Sequence, residues 1–278
     1  MGVVLDGRAV SAKIKADVKL RAASLGLKPG LATVLVGDDP ASKLYVDMKE
    51  KACSEVGFFS LRREFPSSIQ EHELLVELEK LNADDRIHGI LVQLPLPKHM
   101  NTNKVLASVS KDKDVDGFHP YNLGRLITGV EYLVASTPKG VIRLLEEYEI
   151  PIKGAEVVIV NRSIVVGKPL AMLFLNRHAT VTLCHTKTRD MMFHTKRADI
   201  LVSAVGVPGF IKADMVKKDA VVIDVGTSKK DGKLSGDVDF EGVKKKASHI
   251  TPVPGGIGPM TIAMLLENTL IAAENSRF

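Results

Sequence analysis

Strand-like and helix-like patterns alternate along almost the whole chain, and this alternation constrains the fold more than any other feature. Short apolar runs are followed by segments with apolar residues at helical spacing, which is typical of α/β proteins with mainly parallel sheets. Strands are predicted at residues 31–36, 58–65, 89–94, 157–160, 180–184, 200–204 and 221–225. Helices are predicted at residues 9–25, 40–56, 69–81, 138–148, 169–177 and 259–273.

The clearest helix limits lie around residues 40–56. Asp39 can accept hydrogen bonds from the first free N–H groups, Pro40 suits the first turn, and Gly57 can end the helix. A second unit is expected near Pro120, because the pattern of a nucleotide-binding α/β fold follows it. The last helix could pack back on the first unit, and a cleft between two units is the default ligand site.

Composition excludes several classes of protein. The formal net charge of +5 is mild and Trp is absent, so we expect no nucleic-acid partner. The chain shows no apolar run of membrane-span length, no secretory signal pattern and no metal-ligand motif, so neither a membrane nor a metal site is expected. Cys53 and Cys184 indicate no disulfide framework, which favours a reducing, cytoplasmic compartment.

Two side chains on the second predicted helix could form a reactive face. Tyr45 and Lys49 are four residues apart, so they share one side of the helix. This pair is compatible with a solvated helix face. It is also compatible with an aromatic platform beside an amine that moves protons, which requires that burial or neighbouring charges lower the lysine pKa.

Polar residues follow the predicted strand at 89–94. Gln93 stands at its carboxyl end, where ligands bind in open α/β sheets, although it could merely satisfy loop backbone groups. Asp114 and Asp116 precede Gly117. They could cap a turn, or a carboxylate could accept two N–H groups from a ring.

The segment 161–169 has the context of a phosphate-binding turn without its glycine fingerprint. It reads Asn-Arg-Ser-Ile-Val-Val-Gly-Lys-Pro between a strand and a helix, and only Gly167 remains of a G-x-G-x-x-G motif. We expect free N–H groups at the helix N-terminus to face a phosphate, with Arg162 adding a cation. After the next strand, His185-Thr186-Lys187 replaces the acid usual for NAD, which favours NADP or is an ordinary basic loop.

Five motifs together carry a resemblance to a known family. They are Tyr45-Val46-x-x-Lys49, Val92-Gln93-Leu94-Pro95-Leu96-Pro97, Lys113-Asp114-Val115-Asp116-Gly117, Thr137-Pro138-x-Gly140 and Pro252-Val253-Pro254-Gly255-Gly256-Ile257-Gly258-Pro259-Met260-Thr261. The glycines of the last motif allow close backbone approach, either as a rigid helix entry or as a lip over a ligand. In this order, over nearly the whole chain, the motifs resemble the bifunctional methylenetetrahydrofolate dehydrogenase/cyclohydrolase family.

The resemblance implies two α/β domains with a cleft between them. Residues 1–118 plus 259–278 would form the folate-binding catalytic domain, and residues 119–258 a Rossmann-like NADP-binding domain. The implied enzyme is a homodimer. It oxidises 5,10-methylenetetrahydrofolate to the methenyl form with NADP and hydrolyses that product to 10-formyltetrahydrofolate.

The resemblance also implies roles for individual residues. Lys49 is the catalytic amine, Gln93 orients it, and Tyr45 lies against the folate ring. Folate binding is implied for Tyr45, Asp116, Pro254, Gly255 and Gly256. Cofactor binding is implied for Asn161, Arg162, Ser163, Thr186 and Thr227.

The chain departs from the family pattern in the cofactor domain. Asn161 stands where the family usually has Gly, and Thr227 stands where it usually has a hydrophobic residue. Three other readings remain open at this point: a monofunctional dehydrogenase, a two-domain enzyme of the shikimate dehydrogenase kind, and a nucleotide-sensing protein without catalysis.

Overall fold

The chain folds into a two-unit α/β protein, as shown by a computed structural model that describes residues 2–230 and 233–276. The elements follow the chain as β1 (Val3–Val4), α1 (Gly7–Ser24), β2 (Gly30–Val36), α2 (Pro40–Val56), β3 (Phe59–Phe65), α3 (Glu71–Ala83), β4 (Gly89–Val92), α4 (Thr102–Ser108), α5 (Pro120–Ile127), α6 (Ser136–Glu147), β5 (Glu156–Val160), α7 (Gly167–Asn176), β6 (Thr180–Cys184), α8 (Met191–Thr195), β7 (Ile200–Ser203), β8 (Val221–Asp224), β9 (Ser228–Lys230), β10 (Lys233–Ser235), α9 (Phe240–Lys244), β11 (His249–Ile250) and α10 (Ile257–Asn275).

One unit comprises Lys13–Ser136 with Ile262–Phe278. Its sheet has three parallel strands in the order β3-β2-β4. All seven residues of the central strand β2 are buried, as expected for a strand covered on both faces. Polar residues that follow these strands therefore lie at one edge of the sheet.

The helix α2 of this unit begins and ends where the sequence predicts. The Asp39 carboxylate accepts a hydrogen bond of 2.8 Å from Ser42 N, and Pro40 occupies the first turn. Gly57 closes the helix with φ 80°, a left-handed conformation that glycine adopts without a Cβ penalty. These caps set the helix that carries Tyr45 and Lys49.

The other unit comprises Met1–Ala12 with Thr137–Thr261. Its six strands are ordered β1-β11-β8-β7-β5-β6, and every neighbouring pair is parallel. The chain goes from β5 to β6 on one side and then to β7 on the other. This reversal beside β5 is the topological switch point at which doubly wound sheets bind their ligands. The prediction of a Rossmann-like unit is confirmed.

The division between the two units differs from the predicted boundaries at 118/119 and 258/259. Val3 and Val4 pair with His249 and Ile250, so the start of the chain belongs to the six-stranded sheet. Residues after 118 remain with the three-stranded unit, because Asn268 Nδ2 donates to both Val115 O and Val134 O at 2.8 Å. Such pairings between distant segments leave no local signal in the sequence.

Candidate active site

Lys49 and Gln93 are in direct contact beside the carboxyl end of β4. Lys49 lies on α2 and is half-buried, while Gln93 directly follows β4. The Lys49 Nζ donates a hydrogen bond of 2.9 Å to Gln93 Oε1. Gln93 Nε2 donates to Leu94 O at 2.8 Å, so the hydrogen bonds orient the carboxamide oxygen toward the lysine.

The environment of Lys49 changes its proton affinity. Burial lowers the pKa of the ammonium group from its ordinary value, and the negative charge of Asp116 opposes this shift. A lysine with a lowered pKa has a larger neutral fraction near pH 7, and a neutral amine can accept a proton. The site therefore contains a group able to carry out acid–base chemistry.

The two carboxylates of the Asp114-Val115-Asp116 segment have different environments. Asp114 is 4% exposed, and its carboxylate accepts hydrogen bonds from Phe118 N at 3.1 Å and His119 N at 2.8 Å. Asn122 Nδ2 also donates to it, at 2.9 Å. Burial raises the pKa of Asp114 to about 7, against the effect of these donors. Asp114 is thus the turn cap.

Asp116 is the carboxylate whose charge acts on Lys49. Burial raises its pKa to about 6, and the positive charge of Lys49 opposes the shift. Within residues 2–230 and 233–276, no N–H or O–H donates a hydrogen bond to the Asp116 carboxylate. Its two oxygens are therefore available to N–H donors of a ligand.

Tyr45 lies one helical turn before Lys49 on α2. Its side chain is 37% exposed, and residues four apart lie on one helix face. The ring is thus an exposed aromatic surface next to the amine. Tyr45, Lys49, Gln93 and Asp116 all belong to the three-stranded unit, and their roles in catalysis and binding stay predictions.

The carboxyl ends of four strands line up in the six-stranded sheet. Val160 pairs with Cys184 and Ser203, and Ser203 pairs with Asp224. Arg162, Thr186 and Thr227 follow three of these strand ends and are exposed. The residues expected to bind the cofactor therefore follow aligned strand ends at one edge of this sheet.

The turn between β5 and α7 contradicts one expectation. Free N–H groups were expected at the N-terminus of α7, but Gly167 N donates to Asn161 Oδ1 at 3.0 Å and Lys168 N donates to Ser163 O at 3.0 Å. The third helical residue is Pro169, which has no N–H. The side chain of Asn161 therefore binds a helix N–H group that the sequence pattern predicts to be free.

Other features of this edge fit a dinucleotide with a 2′-phosphate. A Cβ on Gly167 would lie 2.4 Å from Asn161 O, so only glycine permits this close strand–helix approach. The turn after β6 is closed by hydrogen bonds of Thr188 N to His185 O at 2.8 Å and Lys187 N to His185 Nδ1 at 3.1 Å. Residues 185–189 contain no acid and include Lys187 and Arg189, which suits NADP.

Sequence reasoning missed two buried carboxylates at the same edge. Asp237 is fully buried and accepts hydrogen bonds from Ser203 Oγ at 3.0 Å, Val205 N at 2.6 Å and Val207 N at 3.0 Å. Asp224 accepts from Gly226 N at 3.0 Å and from Asp237 N at 3.0 Å. Burial raises the pKa of Asp224 to about 6. A nearby glycine is the only local signal for either residue.

The Pro254-Gly255-Gly256 segment lies against the start of α1. Gly255 has φ 114°, and a Cβ there would lie 3.3 Å from Arg8 Nε. A Cβ on Gly7 would lie 1.9 Å from Gly256 O. Pro254 is exposed and both glycines are buried. The glycines therefore permit close packing, which supports the rigid helix entry, and folate binding by this segment stays a prediction.

None of the helices in the described part of the chain combines the length and the apolar character needed to cross a membrane.

A parallel-stranded unit with a half-buried lysine site and a second unit with a doubly wound sheet are typical of two-domain, nicotinamide-dependent enzymes. Two family models match the chain: the tetrahydrofolate dehydrogenase/cyclohydrolase catalytic domain over residues 5–116, and the NAD(P)-binding domain of the same family over residues 135–277. The chain belongs to the tetrahydrofolate dehydrogenase/cyclohydrolase family.

Individual relatives agree with this assignment. A protein of Nautilia profundicola called bifunctional protein FolD is 55% identical over 276 residues, 98% of this chain and 97% of the relative. The crystal structure of the bifunctional FolD enzyme from Campylobacter jejuni is 49% identical and superposes with a TM-score of 0.97, covering 99% of this chain and 100% of that one. The Trypanosoma brucei FolD structure, a complex with NADP cofactor and inhibitor, is 38% identical with a TM-score of 0.95, covering 99% of this chain and 98% of that one.

Proposed function

We propose that this protein oxidises 5,10-methylenetetrahydrofolate to 5,10-methenyltetrahydrofolate with NADP and hydrolyses the product to 10-formyltetrahydrofolate. The observation that carries the proposal is the hydrogen bond between Lys49 Nζ and Gln93 Oε1, with the Asp116 charge acting on the same lysine. A half-buried amine of lowered pKa is the group that ring opening by water requires.

The oxidation step needs little acid–base chemistry from the protein. NADP, when bound, supplies the nicotinamide ring that accepts a hydride. The bridging carbon of the substrate lies between two nitrogens that share the positive charge left behind. The task of the chain is to hold the folate ring, through Tyr45 and Asp116, so that the hydride has a short path.

The hydrolysis step needs a proton carrier. Water adds to the cationic bridging carbon and loses a proton, and the bond from that carbon to one ring nitrogen breaks as the nitrogen gains a proton. The remaining hydroxyl proton leaves to solvent as the formyl C=O forms, which removes the positive charge of the methenyl substrate. The neutral Lys49 amine accepts the first proton and supplies the second, so the lysine is unchanged overall. Gln93 keeps the amine in place through its fixed carboxamide oxygen.

Asp116 serves as the anchor of the folate ring. A carboxylate can accept two N–H bonds side by side from a ring that carries neighbouring donors. The absence of protein donors to its oxygens within residues 2–230 and 233–276 supports this role.

Arg162 is proposed to read the 2′-phosphate of NADP, with Thr186 beside it. The guanidinium group is exposed and follows β5, and a guanidinium binds phosphate through two parallel N–H bonds. Asn161, Ser163 and Thr227 line the same proposed cofactor site. NAD has only hydroxyls at that position and gives Arg162 no anionic partner.

One assay separates this function from its rivals. Methenyltetrahydrofolate supplied without cofactor should be hydrolysed to 10-formyltetrahydrofolate faster than in buffer. A monofunctional dehydrogenase would leave that rate at the buffer level and still reduce NADP with the methylene substrate. A non-catalytic nucleotide sensor would do neither.

We also propose a homodimer in a reducing, cytoplasmic compartment. The family resemblance supports the dimer, and large apolar side chains of the six-stranded unit are exposed at Leu175, Phe193, Val207, Phe210 and Leu234. Free, buried thiols at Cys53 and Cys184 support the reducing compartment. Sedimentation velocity across a concentration series tests the dimer, and a single species with the mass of one chain would refute it.

A further inference from the structure

The carboxamide of Asn161 occupies the centre of the turn between β5 and α7. Its Oδ1 accepts three hydrogen bonds: from Ser163 N at 2.7 Å, from Ser163 Oγ at 2.7 Å and from Gly167 N at 3.0 Å. One acceptor oxygen surrounded by three donors at the start of a helix is the arrangement in which proteins hold a phosphate oxygen.

The orientation of this carboxamide is set from the opposite side. Asn161 Nδ2 donates to Ala204 O at 2.5 Å, so the nitrogen cannot exchange places with the oxygen without losing every bond. The backbone just beyond Ala204 is itself held, because Val205 N donates to the buried Asp237 carboxylate at 2.6 Å. The side chain is thus clamped between two strand ends.

Two further backbone donors at the start of the helix are also engaged. Val166 N donates to Ser163 Oγ at 3.0 Å, and Lys168 N donates to Ser163 O at 3.0 Å. In contrast, the charged groups of Arg162, Lys168, Lys187 and Arg189 are exposed, and none of them makes an ion pair within residues 2–230 and 233–276. The first N–H groups of α7 are thus engaged within the protein, whereas the cationic side chains around the turn are exposed.

We propose that Asn161 determines how the phosphate groups of the cofactor are bound: its Oδ1 replaces a phosphate oxygen at the turn, and recognition passes to the surrounding cationic side chains. The inference rests on the proposed function in one respect, namely that the dinucleotide binds at the carboxyl end of β5. A glycine at position 161 would leave Ser163 N, the Ser163 hydroxyl and Gly167 N directed at the cofactor.

Two substitutions of Asn161 give opposite results if this inference holds. Asn161→Ala removes the competing oxygen and frees three donors, so the dissociation constant for NADP should fall about tenfold. Asn161→Asp keeps an acceptor on the same donors and adds a negative charge, so binding should weaken by at least about tenfold. Isothermal titration of each cofactor-free protein with NADP measures both.

Stability measurements separate this effect from damage to the turn. Asn161→Ala should lower the melting temperature of the cofactor-free protein, because it removes three hydrogen bonds of the turn, while the far-ultraviolet circular dichroism stays unchanged. Asn101→Ala is the matched control: Asn101 Oδ1 caps α4 by accepting from Lys104 N at 3.2 Å. That variant should lose stability and keep the NADP affinity of the parent.

The outcomes are distinct. If Asn161→Ala folds and binds NADP no more tightly than the parent protein, Asn161 is only a scaffold for the turn and the inference is overturned. A parent protein that binds neither NADP nor NAD would refute the proposed function instead. If Asn161→Ala does not fold, the Asn161→Gly and Asn161→Asp variants are measured instead. The inference is overturned if Asn161→Gly binds NADP no more tightly than the parent protein, or if Asn161→Asp binds it no more weakly.

Discussion

Gln93 Oε1 accepts a hydrogen bond from Lys49 Nζ at 2.9 Å, and this contact joins a helix to the end of a neighbouring strand. The position of the lysine amine therefore depends on how the helix and the strand pack together. The contact determines where the amine lies, and burial together with the Asp116 charge determines when it is neutral.

Replacing Lys49 by Met should stop methenyl hydrolysis and spare part of the hydride transfer. Methionine has similar length and no amine, and a positioned acid–base group contributes about 10²–10⁴-fold to a rate. Each half-reaction is measured separately on one preparation. Lys51→Met, which changes an exposed lysine on the same helix, is the control and should leave both rates unchanged. Undiminished hydrolysis in the Lys49→Met variant would exclude Lys49 as the proton carrier.

Replacing Gln93 by Glu should shift the pH dependence of hydrolysis to higher pH. A carboxylate beside Lys49 favours the ammonium form and raises the lysine pKa, so the neutral amine appears only in more alkaline solution. The pH profile of the hydrolysis rate measures this effect. An unshifted profile would mean that the amine does not titrate in the rate-limiting step.

Replacing Asp116 by Asn should weaken the use of folate in both activities together. A substrate donor left unpaired costs about 1–3 kcal/mol, which appears as a higher KM. The pKa of Asp116 is raised to about 6, so in the parent protein KM should rise as pH falls through about 6, where the carboxylate becomes protonated. The variant should lack this rise. Asp112→Asn, an exposed neighbour, is the control, and loss of only one activity would refute the anchor role.

Replacing Arg162 by Ala should raise KM for NADP far more than KM for NAD. The 2′-phosphate loses a bidentate partner, whereas NAD has no anion at that position. Steady-state kinetics with both cofactors give the ratio of KM for NADP to KM for NAD. Arg143→Ala, which removes a surface arginine paired with Glu147 in the same unit, should leave the ratio unchanged. If KM rises equally for both cofactors, Arg162 supports the turn and does not bind the 2′-phosphate.

Asp114 should make the folded protein less stable as pH rises, whereas a salt-bridged acid makes a protein more stable as pH rises. Its pKa is raised from 3.8 to about 7, so between these values the folded protein retains a proton that the unfolded chain loses, and stability falls as pH rises. The shift corresponds to about 4 kcal/mol. The Asp114→Asn variant lacks this titration, so the gap in melting temperature between variant and parent should shift in favour of the variant from pH 4 to pH 8. A constant gap would contradict the raised pKa.

Local sequence signals predicted the elements that carry the candidate side chains of the three-stranded unit. Asp39, Pro40 and Gly57 define α2 by capping chemistry that depends on neighbours a few residues away. The face formed by Tyr45 and Lys49 follows from that helix, and Gln93 follows from the end of a buried strand. Asp114, and not Asp116, is the turn cap because the backbone N–H groups at 118–119 donate to it. No sequence pattern predicts the path of the backbone at these residues.

The six-stranded unit was harder to predict because its edge depends on contacts between distant segments. Asn161 Oδ1 accepts from Gly167 N, the first N–H group of α7, while Ala204 O holds its amide nitrogen. Asp224, at the end of β8, and Asp237, in a later loop, order the ends of β7 and β8. The pairing of β1 with β11 joins opposite ends of the chain, so the predicted unit boundaries differed from those observed.

One labelling experiment tests the central claim, that a single chain both oxidises and hydrolyses the one-carbon unit. Methylenetetrahydrofolate carrying two deuterium atoms on the bridging carbon is incubated with the protein and NADP. The masses of the products are then measured by mass spectrometry. The account predicts one deuterium in the reduced cofactor and one in the formyl group of 10-formyltetrahydrofolate. An unlabelled cofactor, or a labelled cofactor with methenyl product that opens no faster than in buffer, would contradict it.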